Sequence, residues 1–407
     1  MKRRLAEASV RYSRCERTEN TRVWRSYGAS NCWLSGCEQG VGGVGELVKF
    51  KNPLRALVVD DSSLYRQMLM RALGEVDGVE VIDCACDGVE ALEKIERLQP
   101  DLVTLDVQMP KLDGLGVLRE INQRSIETIV LMVSSVTAEG APATVDALLN
   151  GAMDCILKPS GMEDAKAARH GLRNALAERI KAILLARSEG EPRYSSPQNR
   201  SPQKHSVAMR KLEDVIVIGA STGGPQALRT VLRSLPEKPD VPVFIVQHMP
   251  SAFTGSLAKR LNEIVTFPVK LASTGMSVEP GTAYLAPGKF HLTVMRKGSE
   301  VACRLTEDPP RQGCRPSLDC LLESLVPVYG GKVVTAVLTG MGSDGLEGCR
   351  GLKAAGGVVI AQDRQGCTVY GMPKAVIDAG LADVVLPLDQ IGEAIRENQY
   401  RQPPATL

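Results

Sequence analysis

Two series of short apolar runs alternate with helical patterns along this chain, and that alternation restricts the fold more than any other feature. In the first series, strands are expected at 55–59, 79–84, 102–105, 128–133 and 153–157, and a closing helix at 163–187 carries Leu172, Leu176, Ile180 and Ile183-Leu184-Leu185 on one stripe. In the second, the expected strands are 214–218, 242–247, 282–286, 333–338, 357–361 and 383–386. Strand–helix–strand alternation implies parallel sheets covered on both faces. Between the series, residues 188–211 are rich in Ser, Pro, Gln and Arg and nearly devoid of apolar side chains, a composition that links domains and builds no core. The expected architecture is α/β: an N-terminal flavodoxin-like parallel sheet over 53–172, a helix and flexible linker over 173–212, and a doubly wound, mostly parallel domain over 213–400.

A length of 407 residues is itself long for one core. A net charge of +2 gives no argument for nucleic acid or membrane, and aromatics at 4% supply few stacking platforms. No apolar stretch approaches the roughly 18 residues that cross a bilayer, so direct membrane insertion is not expected. Eleven Cys include no C-x-x-C, the nearest pair being Cys84 and Cys86, so reduced thiols in a cytoplasmic protein are expected. Residues 1–52 lack periodicity and a secretory apolar core. They read as a disordered basic extension or as upstream sequence included by a misplaced start. The second is favoured, because the first convincing strand begins only at Leu54.

The chemistry lies at strand ends. Leu57-Val58-Val59 runs into Asp60-Asp61, and Leu102-Val103-Thr104-Leu105 into Asp106. Carboxylates at the C-terminal ends of neighbouring parallel strands converge where such sheets bind ligands. Acids packed together repel, and a hard cation with oxygen ligands, Mg²⁺, relieves that repulsion. Ser134 follows the fourth strand's apolar run and Lys158 the fifth's, so a hydroxyl and a cation join the rim.

Downstream, Val215-Ile216-Val217-Ile218 leads into Gly219-Ala220-Ser221-Thr222-Gly223, a G-x-S-x-G pattern that places Ser221 on a sharp strand-to-helix turn. A Ser nucleophile needs a base. His170 falls in a helix and His205 in the linker, while His291 stands beside a strand as a structural or substrate-facing group. His248 in Gln247-His248-Met249 follows an apolar strand onto the same rim as Ser221. Asp344, after the strand ending at Leu338, supplies an acid to orient the imidazole. The order Ser, His, Asp differs from the Ser, Asp, His of α/β-hydrolases. The loop Gly340–Gly345 also fits G-x-G-x-x-G with Asp363 beyond it, which makes dinucleotide binding a competing reading. It is disfavoured because no room remains for a second βαβαβ half.

The first series, with D-D-S, L-D-V-Q-M-P-K-L-D-G and K-P, resembles the receiver domain of two-component response regulators. That resemblance implies Asp106 as phosphoacceptor, and Asp60, Asp61, Asp106 and the Gln108 carbonyl around Mg²⁺. It also implies Ser134 and Lys158 as the groups that sense the phosphoryl oxygens. Receivers often carry an aromatic three residues before the Lys, where this chain has Cys155. The second series, with G-A-S-T-G-G, Q-H-M, Y-L-A-P-G-K-F-H-L, R-P-S-L-D, T-G-M-G-S-D-G and Y-G-M-P-K-A-V, resembles CheB-type protein-glutamate methylesterases. The resemblance implies a Ser221–His248–Asp344 triad, hydrolysis of glutamate methyl esters and deamidation of glutamine on methyl-accepting chemoreceptors, and a chemotaxis histidine kinase as phosphodonor. It further implies an unphosphorylated receiver lying over the catalytic rim. Backbone N–H groups near Thr222 and Met341 are the candidates for holding an oxyanion, Arg315-Pro316-Ser317 either lines a substrate groove or forms a structural loop, and no cofactor is expected for hydrolysis. The rival classes are a receiver-coupled transcriptional regulator, opposed by near-zero net charge and no short helix-turn-helix domain, and a dinucleotide-dependent oxidoreductase.

Overall fold

In the computed structural model the described residues are 53–135, 140–159, 165–188 and 214–400. The 1–52 extension, the 189–213 linker and His205 lie outside them. The first series forms β1 (Leu54–Val59), α1 (Ser63–Gly74), β2 (Val79–Ala85), α2 (Gly88–Leu98), β3 (Leu102–Asp106), α3 (Gly114–Gln123), β4 (Ile129–Ser134), α4 (Gly140–Leu149), β5 (Asp154–Leu157) and α5 (Ala165–Ser188). The strands pair in parallel in the order β2-β1-β3-β4-β5. β1 and β3 are central, and Leu57, Val58, Val59, Leu102, Val103 and Leu105 lose all solvent exposure. That explains why these runs are continuously apolar where an edge strand would alternate. Asp87 starts α2 by accepting from the amides of Val89 and Glu90, while the Glu90 carboxylate accepts from Cys86 N–H, a reciprocal cap. Helix α5 runs unbroken past residue 172 and packs Leu172, Leu176 and Ile180 into the core of the first sheet.

The second series forms β6 (Val215–Ala220), α6 (Gly224–Arg233), β7 (Val243–Gln247), α7 (Ser251–Ile264), β8 (Val269–Leu271), β9 (Ala283–Leu285), β10 (His291–Lys297), β11 (Glu300–Thr306), α8 (Leu318–Tyr329), β12 (Val333–Val337), α9 (Leu346–Ala354), β13 (Val358–Gln362), α10 (Met372–Asp378), β14 (Val384–Leu386) and α11 (Leu388–Tyr400). Seven strands make one wholly parallel sheet, β14-β13-β12-β6-β7-β9-β8, and β10–β11 stand apart as an antiparallel hairpin. The chain leaves β6 for β7 on one side and later returns as β12 on the other. This reversal opens a crevice at the C-terminal ends of β6, β7 and β12. Apolar clusters cover both faces of the sheet.

Helix α4 is apolar nearly all round, with Ala141, Val145, Ala147, Leu148 and Leu149 buried. A helix of that character needs cover on more than one face. One side lies on the first sheet and the other packs against α6 and α7, so a single apolar cluster continues from one domain into the other. Polar contacts at its margin are Arg260 Nη2 to Asp146 Oδ2 at 2.7 Å and Arg229 Nη1 to the Leu149 carbonyl at 3.0 Å.

Candidate functional site

At the first rim, β1 and β3 deliver Asp60 and Asp106, both buried, next to the exposed Asp61. One carboxylate oxygen from each lies within 4.8 Å of the others. Lys158 Nζ stands 2.8 Å from Asp60 Oδ2 and 2.7 Å from Asp106 Oδ2. Burial raises Asp106 to about 6 even with Lys158 beside it, and burial also raises Asp60. Asp60 Oδ2 is buried and faces Lys158 without hydrogen-bond alignment, so it keeps unused acceptor capacity. Three carboxylates with hard oxygens, one of those oxygens without a hydrogen-bond partner, suit Mg²⁺. Gln108 is exposed two residues beyond Asp106. Ser134, nearly inaccessible, donates to the Ser135 carbonyl at 3.1 Å and has Thr144 Oγ1 at 2.8 Å. Cys155 is a core residue, and the aromatic ring against Lys158 comes instead from Tyr65 of α1, 4.6 Å from the ammonium.

The second rim is set by strand pairing. Ala220 of β6 pairs with Gln247 of β7, so Ser221 and His248 emerge side by side, tied by His248 N–H to the Ala220 carbonyl at 3.0 Å. From the other flank, Ser221 N–H donates to the Thr339 carbonyl beyond β12 at 3.0 Å. Gly223 at φ 75° and the bond from Gly224 N–H to Ser221 O at 2.8 Å close the turn. His248 Nε2 meets Asp344 Oδ2 at 2.8 Å. Its Nδ1 is buried without a partner, and Ser221 Oγ makes no hydrogen bond to His248 among the described residues. Asp344 is anchored by the start of α8: Ser317 Oγ donates to Oδ1 and Leu318 N–H to Oδ2, each at 2.6 Å. Burial opposes ionisation of Asp344, but His248, Ser317 and Leu318 outweigh it and lower its pKa. Burial likewise works against a charged His248, yet Asp344 and the neighbouring Cys314 thiol push the imidazole up to about 9. Asp319, buried next to Asp344, is raised to about 6.

The receiver-side sheet lies directly on this rim. Gly223 N–H donates to the Met153 carbonyl at 2.9 Å, and Thr222 Oγ1 donates to Asp154 Oδ2 at 2.9 Å. Met341 and Val369 pack into the cluster built on α1, β1 and α5. Both proposed oxyanion positions, Thr222 and Met341, are therefore under cover.

Comparison with known proteins follows the same division. The response regulator receiver domain family matches residues 56–176, and the CheB methylesterase family matches 216–395. The protein-glutamate methylesterase/protein-glutamine glutaminase of Geobacillus kaustophilus is 43% identical over 84% of this chain and 97% of its own. That of Lawsonia intracellularis is 42% identical over 85% of this chain and 99% of its own. The chain belongs to the CheB family. Among solved structures, the CheB methylesterase catalytic domain of Thermotoga maritima is 41% identical, covers 46% of this chain and 99% of that one, and superposes with a TM-score of 0.45.

Within this CheB-family hydrolase and its receiver domain, several working residues escape sequence inspection. Ser317 is an N-cap that anchors Asp344, a structural duty for one residue of the Arg315–Ser317 loop. Asp154, whose carboxylate binds both Thr222 and Arg179, carries no motif. Gln247 did leave a signal, being a polar residue buried at the end of an otherwise apolar strand. His291 opens β10, fully buried, with Nε2 3.2 Å from the Pro309 carbonyl. No helix among the described residues is long and apolar enough to cross a membrane.

Proposed function

We propose that this protein is a phosphorylation-controlled hydrolase that converts glutamate methyl esters on chemoreceptors to glutamate and methanol, and deamidates receptor glutamines, for chemotactic adaptation. Ser221 Oγ attacks the γ-carbonyl, His248 accepts its proton, and Asp344 orients and stabilises the imidazolium. The tetrahedral oxyanion is held by backbone N–H groups near Thr222 and Met341. The proton passes from His248 to departing methanol, or to ammonia when the substrate is glutamine, and water then releases glutamate from Ser221. The observation that carries this reading is the 2.8 Å bond between His248 Nε2 and an Asp344 anchored by Ser317 and Leu318, beside the strand end that bears Ser221. With Nε2 committed to Asp344, the unpartnered Nδ1 is the nitrogen left to take the Ser221 proton.

Regulation follows from the covered rim. Asp106 accepts a phosphoryl group from a chemotaxis histidine kinase. Asp60, Asp61, Asp106 and the Gln108 carbonyl would hold Mg²⁺, whose charge would offset that of the acids and the phosphoryl oxygens. Ser134 and Lys158 then turn toward the phosphoryl oxygens, and the receiver's hold on the Ser221 loop weakens, shifting the population toward an open form. A folded Ser221→Ala variant is expected to release no methanol from methylated receptors. Wild-type release from that variant would remove the triad from consideration.

A further inference from the structure

Gln247 is buried to 2% exposure, and its amide nitrogen donates to two backbone carbonyls, Ser221 O at 2.7 Å and His248 O at 3.0 Å. Those are the carbonyls of the proposed nucleophile and its base. Turning the amide over would set Oε1 against two carbonyl oxygens at these distances, so repulsion fixes its orientation. Oε1 is consequently buried with no partner. A buried oxygen without a partner is unfavourable, and its retention indicates that the two bonds from nitrogen matter.

The same amide accounts for a second motif residue. A Cβ on Gly224 would lie 2.0 Å from Gln247 Oε1, 2.8 Å from its Cδ and 2.9 Å from Ala220 Cβ, so the amide is the nearest obstacle. Gly224 is the first residue of α6 and has no left-handed φ that would demand glycine. Glycine in a helix is disfavoured against alanine. Close approach of the Gln247 amide explains its presence where backbone conformation does not.

We propose that Gln247 is the positioning residue that sets the spacing of Ser221 and His248, and that Gly224 is required because it leaves room for this amide. The proposal rests on the triad reading above. Strand pairing brings the two residues adjacent but stops at Ala220 and Gln247. Beyond that point, the Gln247 amide and the His248 N–H bond to Ala220 join the two diverging chains. Misplacement of reacting groups by about 1 Å can cost on the order of a hundredfold in rate.

The test uses the full chain, phosphorylated with acetyl phosphate, and methanol release from membranes bearing methylated chemoreceptors. Gln247→Met keeps the volume without the donors; Gly224→Ala forces the amide aside. Each is expected to lower kcat by about ten- to a hundredfold with KM within about twofold of wild type. The double variant should lose less than the product of the two single losses, since both bear on one amide. Wild-type kcat in either single variant overturns the proposal, as does a raised KM with kcat intact, or full multiplicative loss in the double variant. If Gln247→Met does not fold by circular dichroism and melting, Gln247→Asn, which withdraws the amide by one methylene, is judged by the same criteria. Ser221→Ala is measured alongside. Activity there overturns triad and proposal together, whereas an inactive Ser221→Ala with fully active Gln247 variants overturns this proposal alone.

Discussion

Replacing Asp154 by Ala tests whether the receiver's grip on the Ser221 loop restrains the enzyme. The Asp154 carboxylate accepts from Thr222 Oγ1 at 2.9 Å across the domain boundary and from Arg179 Nε at 3.3 Å within the receiver. Its side chain is 18% exposed, so water reaches it in part. A hydrogen bond to a charged group contributes about 1.5–3 kcal/mol, and partial exposure reduces that to about 1–1.5 kcal/mol. Removing it shifts the closed-to-open equilibrium by about five- to twelvefold. Methanol release by the unphosphorylated full chain should rise by that factor, while the rate after acetyl phosphate treatment stays at the wild-type level. Asp154→Asn, which keeps a neutral acceptor, should fall between the two. An unchanged basal rate in Asp154→Ala, with the phosphodonor response intact and the fold preserved by melting, would refute the grip as argued.

Three further outcomes are expected. With His248 pushed up to about 9, the base is mostly charged at neutral pH. Hydrolysis by the unphosphorylated chain should therefore climb about tenfold per unit from pH 7 and level near 9, and a single-turnover profile flat over that window would contradict it. Asp106, raised to about 6, binds its proton more tightly folded than unfolded, so stability falls as pH rises from about 4 through 6. Asp106→Asn removes that cost. At pH 7 denaturant titration should show it more stable by about 1–3 kcal/mol, and methanol release should no longer answer to acetyl phosphate. Chelation of Mg²⁺ should likewise abolish the response in wild type and spare basal hydrolysis.

The central strands were legible because burial on both faces leaves an unbroken apolar run, as in β1, β3, β6, β7 and β12. The hairpin β10–β11 was not, since half-exposed residues such as Thr293 and Met295 break its apolar signal. β8 is three residues long at a sheet edge. Helix α4 shows apolar residues all round without saying that the second covering face belongs to another domain. The placement of His248 beside Asp344 could be anticipated, because each follows a parallel strand and all such strands end on one side. The duties of Asp154 and Ser317 could not, since each depends on a partner, Thr222 or Asp344, far along the chain.

Strand β5 is four residues long, and both domains hold it by its ends. At one end Met153 and Asp154 grip the Ser221 loop; at the other Lys158 reaches Asp106. At about 3.3 Å per residue, Asp154 and Met153 lie about 13 and 17 Å from Lys158 along one extended segment. An extended strand laddered to β4 resists stretching, so β5 ties Lys158 to Met153 as one stiff segment. The Gly223–Met153 bond, 2.9 Å long, ceases to be a hydrogen bond after about 0.7 Å of travel. A displacement shorter than a single carbon–carbon bond is thus enough to lose this one contact, while the Thr222–Asp154, Arg260–Asp146 and Arg229–Leu149 contacts and the shared apolar cluster still join the domains.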